Sequence, residues 1–370
     1  MCYRTPMGVE SPPVQSSEPK ARSSRFAPLG IIFGVLGLLL FAYFVRHAGI
    51  GEIAAGIQRL GYGFILILAI SSIRYIVRAL AWMRCVEEPY RLPFRDAVAA
   101  RLMGDALGNI IPFASVAVSE PSKAVFVKDR LPLLVGLSAL AVENIFYALS
   151  VALFIFAGTA TLLLSFTLPK ALRYASIAAL ITTFVIIPAG YFLLRSESKF
   201  LSGTLKFFGR HGVPPKLVAK IAPRVQALEE RIFGFYQRSR QSFLSIFALD
   251  MCFHLAGVAE IYATLMFISP VAPSLRQAFI LESVNRIINV AFKFIPLRAG
   301  VDEGGTGQVS KVLGFARGTG VTLAIIRKGR DIFWSGIGIL LIWQKGHGLT
   351  QTNMDQNIQI REQNSQRELP

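Results

Sequence analysis

Charge is what this chain has least of. Only 16% of its 370 residues are Asp, Glu, Lys or Arg, against about 25% in an ordinary soluble domain, while 53% are hydrophobic. That balance excludes a water-soluble globule and leaves an integral membrane protein. Cysteine is scarce too: Cys2, Cys85 and Cys252 have no metal-ligand spacing and no disulfide pairing, which removes a zinc site and a disulfide scaffold. The alternating pattern of a porin-like barrel is missing. So are His-Glu-x-x-His, Asp-x-x-Asp and Gly-x-Ser-x-Gly, and no Gly-Lys-Ser/Thr follows the glycines from Gly304 to Gly307. Zinc-protease, serine-hydrolase and nucleotide-loop chemistry therefore find no support, and no cofactor or metal is expected.

What the chain does have is long apolar runs: Leu29 to Val45, Gly63 to Trp82, Leu133 to Phe156, Leu172 to Leu194, Phe243 to Ile268 and Thr319 to Trp343. Each approaches the roughly 20 residues that an α-helix needs to cross about 30 Å of hydrocarbon. Arg22 and Arg25 precede the first run, but it is long, lacks a small-x-small cleavage site and ends at Arg46-His47. It reads as a retained helix, not as a secretory signal. Residues 1–27, rich in Pro and Ser, and the Gln/Asn-rich residues 344–370 are expected to be disordered.

Basic residues outnumber acidic ones, 39 to 22. In a membrane protein such an excess gathers in cytoplasmic loops, so nucleic acid is not the expected partner. Ten Lys/Arg face three Glu between Arg195 and Arg240, whereas Gly158 to Leu172 holds only Lys170. The basic loop 195–241 is then cytoplasmic, the other loop external, and both termini lie inside a cell inner membrane. One conflict stays open. Arg276, Arg286, Lys293, Arg298, Lys311 and Arg317 are too many positives for an external stretch, so either they line a cavity or the count of crossings is off by one.

Two segments are broken by Ile-Pro at related places: Ile111-Pro112 against Ile295-Pro296, followed by Gly136 against Gly320. Arg95 and Arg276 match after a shift of three positions. Helix breakers at membrane depth survive where the freed backbone meets protein or a wet cavity, and paired broken segments mark a transporter's binding site. Repeat 1 is placed at about residues 95–157 and repeat 2 at about 276–343. Three helices separate the two dips, which makes the repeat inverted. The expected fold is all-α: a polytopic membrane helix bundle of about six spanning helices plus two re-entrant helical hairpins.

Charges inside apolar helices are functional candidates, because an Arg at helix centre costs roughly 2.5–3.5 kcal/mol. Arg74 and Arg78 share a stripe with Ser71 and Trp82. Arg78 is near enough to the helix end to act only as a snorkelling anchor. Glu143, beside Asn144, falls on a face with Tyr147 and Ser150; Arg327 and Asp331 sit four apart in the last run. The repeat puts Glu143 and Arg327 in corresponding positions, where they are expected to approach each other, as a ligand site or as a purely structural ion pair. Asp250 and His254 share a helix face with Gly257 and suit a proton relay, or else groups solvated in a vestibule. The broken segments add Asn109, Glu120 and Lys123 in the first, and Arg298, Asp302 and Glu303 in the second.

The order of these elements resembles the flippase-like membrane domain of lysylphosphatidylglycerol synthases: Asn109-Ile-Ile-Pro112 with Glu120 and Lys123, a helix with Glu143, then Ile295-Pro296-x-x-Ala-Gly300 before an Arg327-bearing helix. Stand-alone proteins with this domain, some associated with hopanoid lipids, share the likeness, which spans residues 28–343. The resemblance implies a helical domain with re-entrant hairpins that moves or presents an amphipathic lipid between leaflets. Ser119 stands where the family has Gly, which leaves the carry-over of Glu120 and Lys123 in question. The synthases add a soluble aminoacyl-transferase domain, whereas a polar tail follows here, so lysyl transfer is not part of the expectation.

The expected function is binding and flipping of a polar-headed or anionic lipid, with Arg74, Glu143, Arg298, Glu303 and Arg327 around the head group. Membrane lipids are the expected partners. The alternatives are a membrane-embedded lipid-modifying transferase, for which only Glu87-Glu88, Glu229-Glu230 and Asp302-Glu303 offer adjacent acids, and a non-transporting scaffold for lipid-biosynthesis enzymes.

Overall fold

The computed structural model describes residues 39, 43, 46, 50–110, 115–195, 202–203, 215–238, 240–293, 295 and 298–367. The breaks at Pro112 and Pro296, residues 1–27 and most of the first apolar run lie outside the described residues. Among those described there are eleven helices and no strand, as continuous apolar runs require.

Helix α1 (Ile50–Leu60) turns through Gly61, at φ 42°, into α2 (Gly63–Arg84); a positive φ of this kind favours glycine. Helices α3 (Phe94–Ile110) and α4 (Ser115–Phe126) pack on each other. Helix α5 (Leu133–Ser165) begins directly after Pro132, which cannot extend a preceding helix, and α6 (Lys170–Arg195) follows it. Next come α7 (Pro215–Arg238), opened by proline at its first position, and α8 (Arg240–Ile268). Helix α9 (Leu275–Ala291) starts with a capping box: the Gln277 amide donates to the Ser274 hydroxyl, and the Ser274 amide donates to the Gln277 side chain at 2.7 Å. At the start of α10 (Val301–Val312) the Gly300 amide, at φ 80°, donates to Glu303 Oε2 at 2.8 Å. Helix α11 (Arg317–Arg367) continues through the polar segment that composition assigns to a tail; no Gly or Pro interrupts residues 349–367.

Two triplets repeat in length. Helices α3 and α9 have 17 residues each, α4 and α10 have 12 each, and a long helix completes each set. Gly136 and Gly320 occupy the same place, one turn into α5 and α11, and each lets its helix approach the preceding one. A Cβ on Gly136 would lie 3.3 Å from Ala124 in α4, and one on Gly320 would lie 2.4 Å from Ser310 and 2.7 Å from the Thr306 carbonyl in α10.

Among the described residues, four helical stretches are long and apolar enough to cross a membrane: Gly63–Arg84, Leu133–Ser165, Lys170–Gly190 and Ser242–Ile268. The expected sixth run, Thr319 to Trp343, lies in α11; Arg327, Lys328, Arg330 and Asp331 interrupt the run near its middle, and it is not one of the four. Helix α2 packs most extensively on α8, and α5 contacts α6 through α9. Their apolar residues form two clusters. One gathers Trp82, Leu131, Leu140, Phe146 and Ile246; the other gathers Ile67, Phe154, Leu162, Ile261 and Leu281. Between them, near the midpoints of α2, α5 and α8, runs a polar layer.

Candidate functional site

That layer encloses a cavity of about 240 Å³, lined by Ser71, Arg74, Tyr75 and Arg78 of α2, Arg101 and Asp105 of α3, and Glu120 and Lys123 of α4. Asn144 and Tyr147 of α5, Phe253 of α8, Lys293, and Arg330 and Asp331 of α11 complete the wall. Six cations thus face three carboxylates, a formal excess of three positive charges.

Carboxylates placed behind the wall hold most of these cations. Glu143, fully buried, lies 2.6 Å from Arg78 Nε and 2.8 Å from Arg101 Nη2. Glu260 is clamped between Arg74, at 3.2 Å, and Arg330. Lys123 reverses the ratio, standing 2.8 Å from both Asp105 and Glu120. Asn144 ties the sets together: it donates to Glu120 at 2.8 Å and accepts from Arg78 at 3.2 Å. Asp331 pairs with Arg330 at 2.7 Å and Arg298 at 3.2 Å. Lys293 differs from the other five. It is exposed and, among the described residues, has no acidic partner.

Aromatic rings orient the guanidinium groups. The Arg78 guanidinium stands 3.6 Å above the Tyr147 ring, and Phe253 has Arg74 at 4.5 Å and Arg286 at 5.1 Å from its centroid. Cation–π contact of this kind keeps an arginine's fork of donors free at its edge.

A second polar cluster belongs to the second triplet. Arg327 donates to Asp302 at 2.7 Å and to Thr306 at 2.6 Å, and Lys328 pairs with Glu303. All five are buried, their formal charges cancel, and none lines the cavity. A third group sits on α9, where Glu282 binds Arg286 and accepts from Asn285 at 3.0 Å. Gly257 of α8 makes room for it, since a Cβ there would lie 2.4 Å from Glu282 Oε1.

Of the sequence-predicted residues, the cavity brings together Arg74, Arg78, Glu120, Lys123 and Asp331, with Glu143 directly behind and Arg298 at the edge through Asp331. It does not bring in Asp302, Glu303 or Arg327. Asn109 donates to Ser335 at 2.9 Å, outside the lining. The expected approach of Glu143 to Arg327 is corrected: Glu143 is held by Arg78 of α2 and Arg101 of α3, and Arg327 by Asp302 and Thr306 of α10. Asp250 and His254 also lie off the cavity wall. His254 Nε2 is 3.1 Å from Ser150 Oγ and its ring stacks on Phe154 at 4.6 Å, while both Asp250 oxygens are buried and, among the described residues, have no hydrogen-bond partner.

Arg101, Asp105 and Arg330 were missing from the sequence-based set, and Lys293 entered it only among the six positives offered as lining a cavity. A signal for two of them exists: Arg101 and Asp105 relate to Glu282 and Arg286 by the same shift that matches Arg95 with Arg276, with the charge signs exchanged. The model of the lysylphosphatidylglycerol synthase TM region family matches residues 28–337. No curated protein and no solved structure matches the chain.

Proposed function

Because the chain belongs to the lysylphosphatidylglycerol synthase transmembrane family, we propose that this membrane protein binds a lipid with an anionic head group in the polar cavity and carries it between leaflets. The observation that carries the reading is Lys293, a cation of the cavity wall with no acidic partner among the described residues, in a layer halfway along three apolar helices where six lining cations meet three lining carboxylates and, behind them, Glu143 and Glu260. A cation excess in a low-dielectric layer is expensive unless an anion offsets it. A phosphate meets that need, since guanidinium groups bind its oxygens through paired N–H donors and an ammonium serves as a point charge.

Glu143 and Glu260 act from behind, keeping the arginines in place when no lipid is bound. Asp105 and Glu120 occupy Lys123 in the meantime and release it to an arriving phosphate. In this proposal the two triplets are inverted halves with re-entrant hairpins, and their rocking exposes the cavity to one leaflet and then the other. Both termini face the cytoplasm. Asp250 and His254, one turn apart on α8 behind the wall, are the candidates for coupling this motion to proton uptake.

Leaflet-resolved labelling in proteoliposomes tests the reading. Fluorescent phosphatidylglycerol should change leaflet faster than fluorescent phosphatidylcholine, and Lys293→Ala should slow the former by about tenfold, the worth of one charge-assisted contact. Equal rates for both lipids, unmoved by the substitution, would discard the head-group assignment.

A further inference from the structure

The structure holds a second, larger cavity of about 620 Å³ with no charged residue in its lining. One wall is the end of α5 and the start of α6, with Leu162, Leu172 and Ala175; the other is α9 and α10, with Ile288, Phe292 and Val309. Its size is that of a ligand site, within the usual range of roughly 300–1,000 Å³. The cleft exists because α6 packs along α5 and against α7 while its first turns stand off from α9 and α10. Glycines 300, 304 and 305 leave the α10 side of it without side chains.

The two cavities share one turn of the chain. Phe292 lines the apolar cleft and Lys293, the next residue, lines the polar cavity. We infer that the cleft seats one acyl chain of the lipid whose head group lies at Lys293, so that the lipid is held at both ends, inside the protein. This inference rests on the head-group reading above and adds the substrate's apolar half to it.

Three physical points favour an acyl chain as the occupant. Helix α6 exposes Tyr174, Ile181, Phe184 and Val185 on its outer side, so the bilayer adjoins the gap, and at this depth hydrocarbon is the available filler. An unfilled apolar void forfeits the dispersion contacts of its whole lining. Bulk lipid tails are as apolar as the cleft, so hydrophobicity alone gives no preference for entry. The charge at Lys293 therefore does the selecting.

The test uses phosphatidylglycerol with a photoactivatable diazirine in one acyl chain, in vesicles of phosphatidylglycerol and phosphatidylcholine. Cross-linked peptides are identified by mass spectrometry. Adducts should concentrate on residues 284–312, and Ala175→Trp, a substitution at an exposed position that fills the cleft, should lower them by about tenfold while adducts on the outer face of α6 persist. Ala171→Trp provides a second filling variant should the first fail to fold. Adducts only on the outer face of α6, or cleft adducts unchanged by either tryptophan, overturn the proposal. The two readings fail differently. Cleft adducts that form equally well from a phosphatidylcholine probe keep the chain seat and remove the anionic preference; phosphatidylglycerol transfer that still depends on Lys293 without any cleft adducts removes the chain seat alone.

Discussion

The two triplets use the same position on their third helix for opposite purposes. Glu143 and Asn144 on α5 correspond to Arg327 and Lys328 on α11, by the shift that also relates Gly136 to Gly320. In the first triplet an acid holds two arginines against an open cavity whose wall keeps a positive excess. In the second, two cations meet two acids, the formal charges cancel, and the cluster is buried away from the cavity. The two triplets share helix lengths and a close glycine contact yet carry different charges. In the proposed reading the cluster around Glu143 backs the anion site, and the cluster around Asp302 and Glu303 braces its own helices.

The largest effect follows from removing the acid on each side. Glu143→Ala leaves Arg78 and Arg101 without their carboxylate, and stranding a buried charge in this way costs about 3–5 kcal/mol. Asp302→Ala does comparable damage to Arg327, which keeps only Thr306. Thermal unfolding in detergent should show both losses. A second measurement separates them: phosphatidylglycerol should restore stability to Glu143→Ala, whose freed arginines face the cavity, by the linkage of ligand binding to folding. It should not restore Asp302→Ala. Rescue of both, or of neither, would erase the distinction between an open and a closed cluster.

A smaller effect concerns Lys123, held by Asp105 and Glu120. Lys123→Met keeps the aliphatic stem and removes the cation from two partly exposed acids in the wall. Its cost to stability should stay near 1–3 kcal/mol, while the lining keeps five cations against three carboxylates and is less positive by one charge. Phosphatidylglycerol transfer should fall without a matching fall for phosphatidylcholine. A uniform fall for both lipids would place Lys123 among the structural residues only.

Much of this was legible from the chain. Apolar length pointed to the four candidate spans among the described residues, and the Ser71–Arg74–Arg78 stripe to the layer where the cavity lies. Gly136 and Gly320 recur one turn into the third helices of two triplets with matching helix lengths. What could not be read was pairing. Arg74 meets Glu260 across 186 residues and Arg78 meets Glu143 across 65, and helical periodicity says which face a charge is on, not which helix will cover it. The repeat alignment encouraged the Glu143–Arg327 pair because corresponding positions meet only if they lie on the pseudo-symmetry axis; these two are held instead by Arg78 and Arg101, and by Asp302 and Thr306. Arg101 escaped notice for another reason. It lies on α3, whose weak apolar signal directed attention to the tip at Asn109 and away from the helix body, where Arg101 is 2% exposed.

The gentlest way to probe the duplication is through its glycines. A methyl group at Gly136 would meet the Ala124 side chain at 3.3 Å, a tight contact that a shift of a few tenths of an ångström relieves. At Gly320 the same methyl group would meet Ser310 Oγ at 2.4 Å and the Thr306 backbone carbonyl at 2.7 Å, and a helix carbonyl has no such room to move. Alanine also gains about 1 kcal/mol of helix propensity over glycine at either site. That gain roughly offsets the crowding at Gly136 and falls short at Gly320, where overpacking costs about 1–3 kcal/mol. Gly136→Ala should therefore unfold close to the unsubstituted protein, and Gly320→Ala at a lower temperature. The reverse order would mean that the first triplet is the more tightly built, and the assignment of a yielding triplet and a rigid triplet would have to be exchanged.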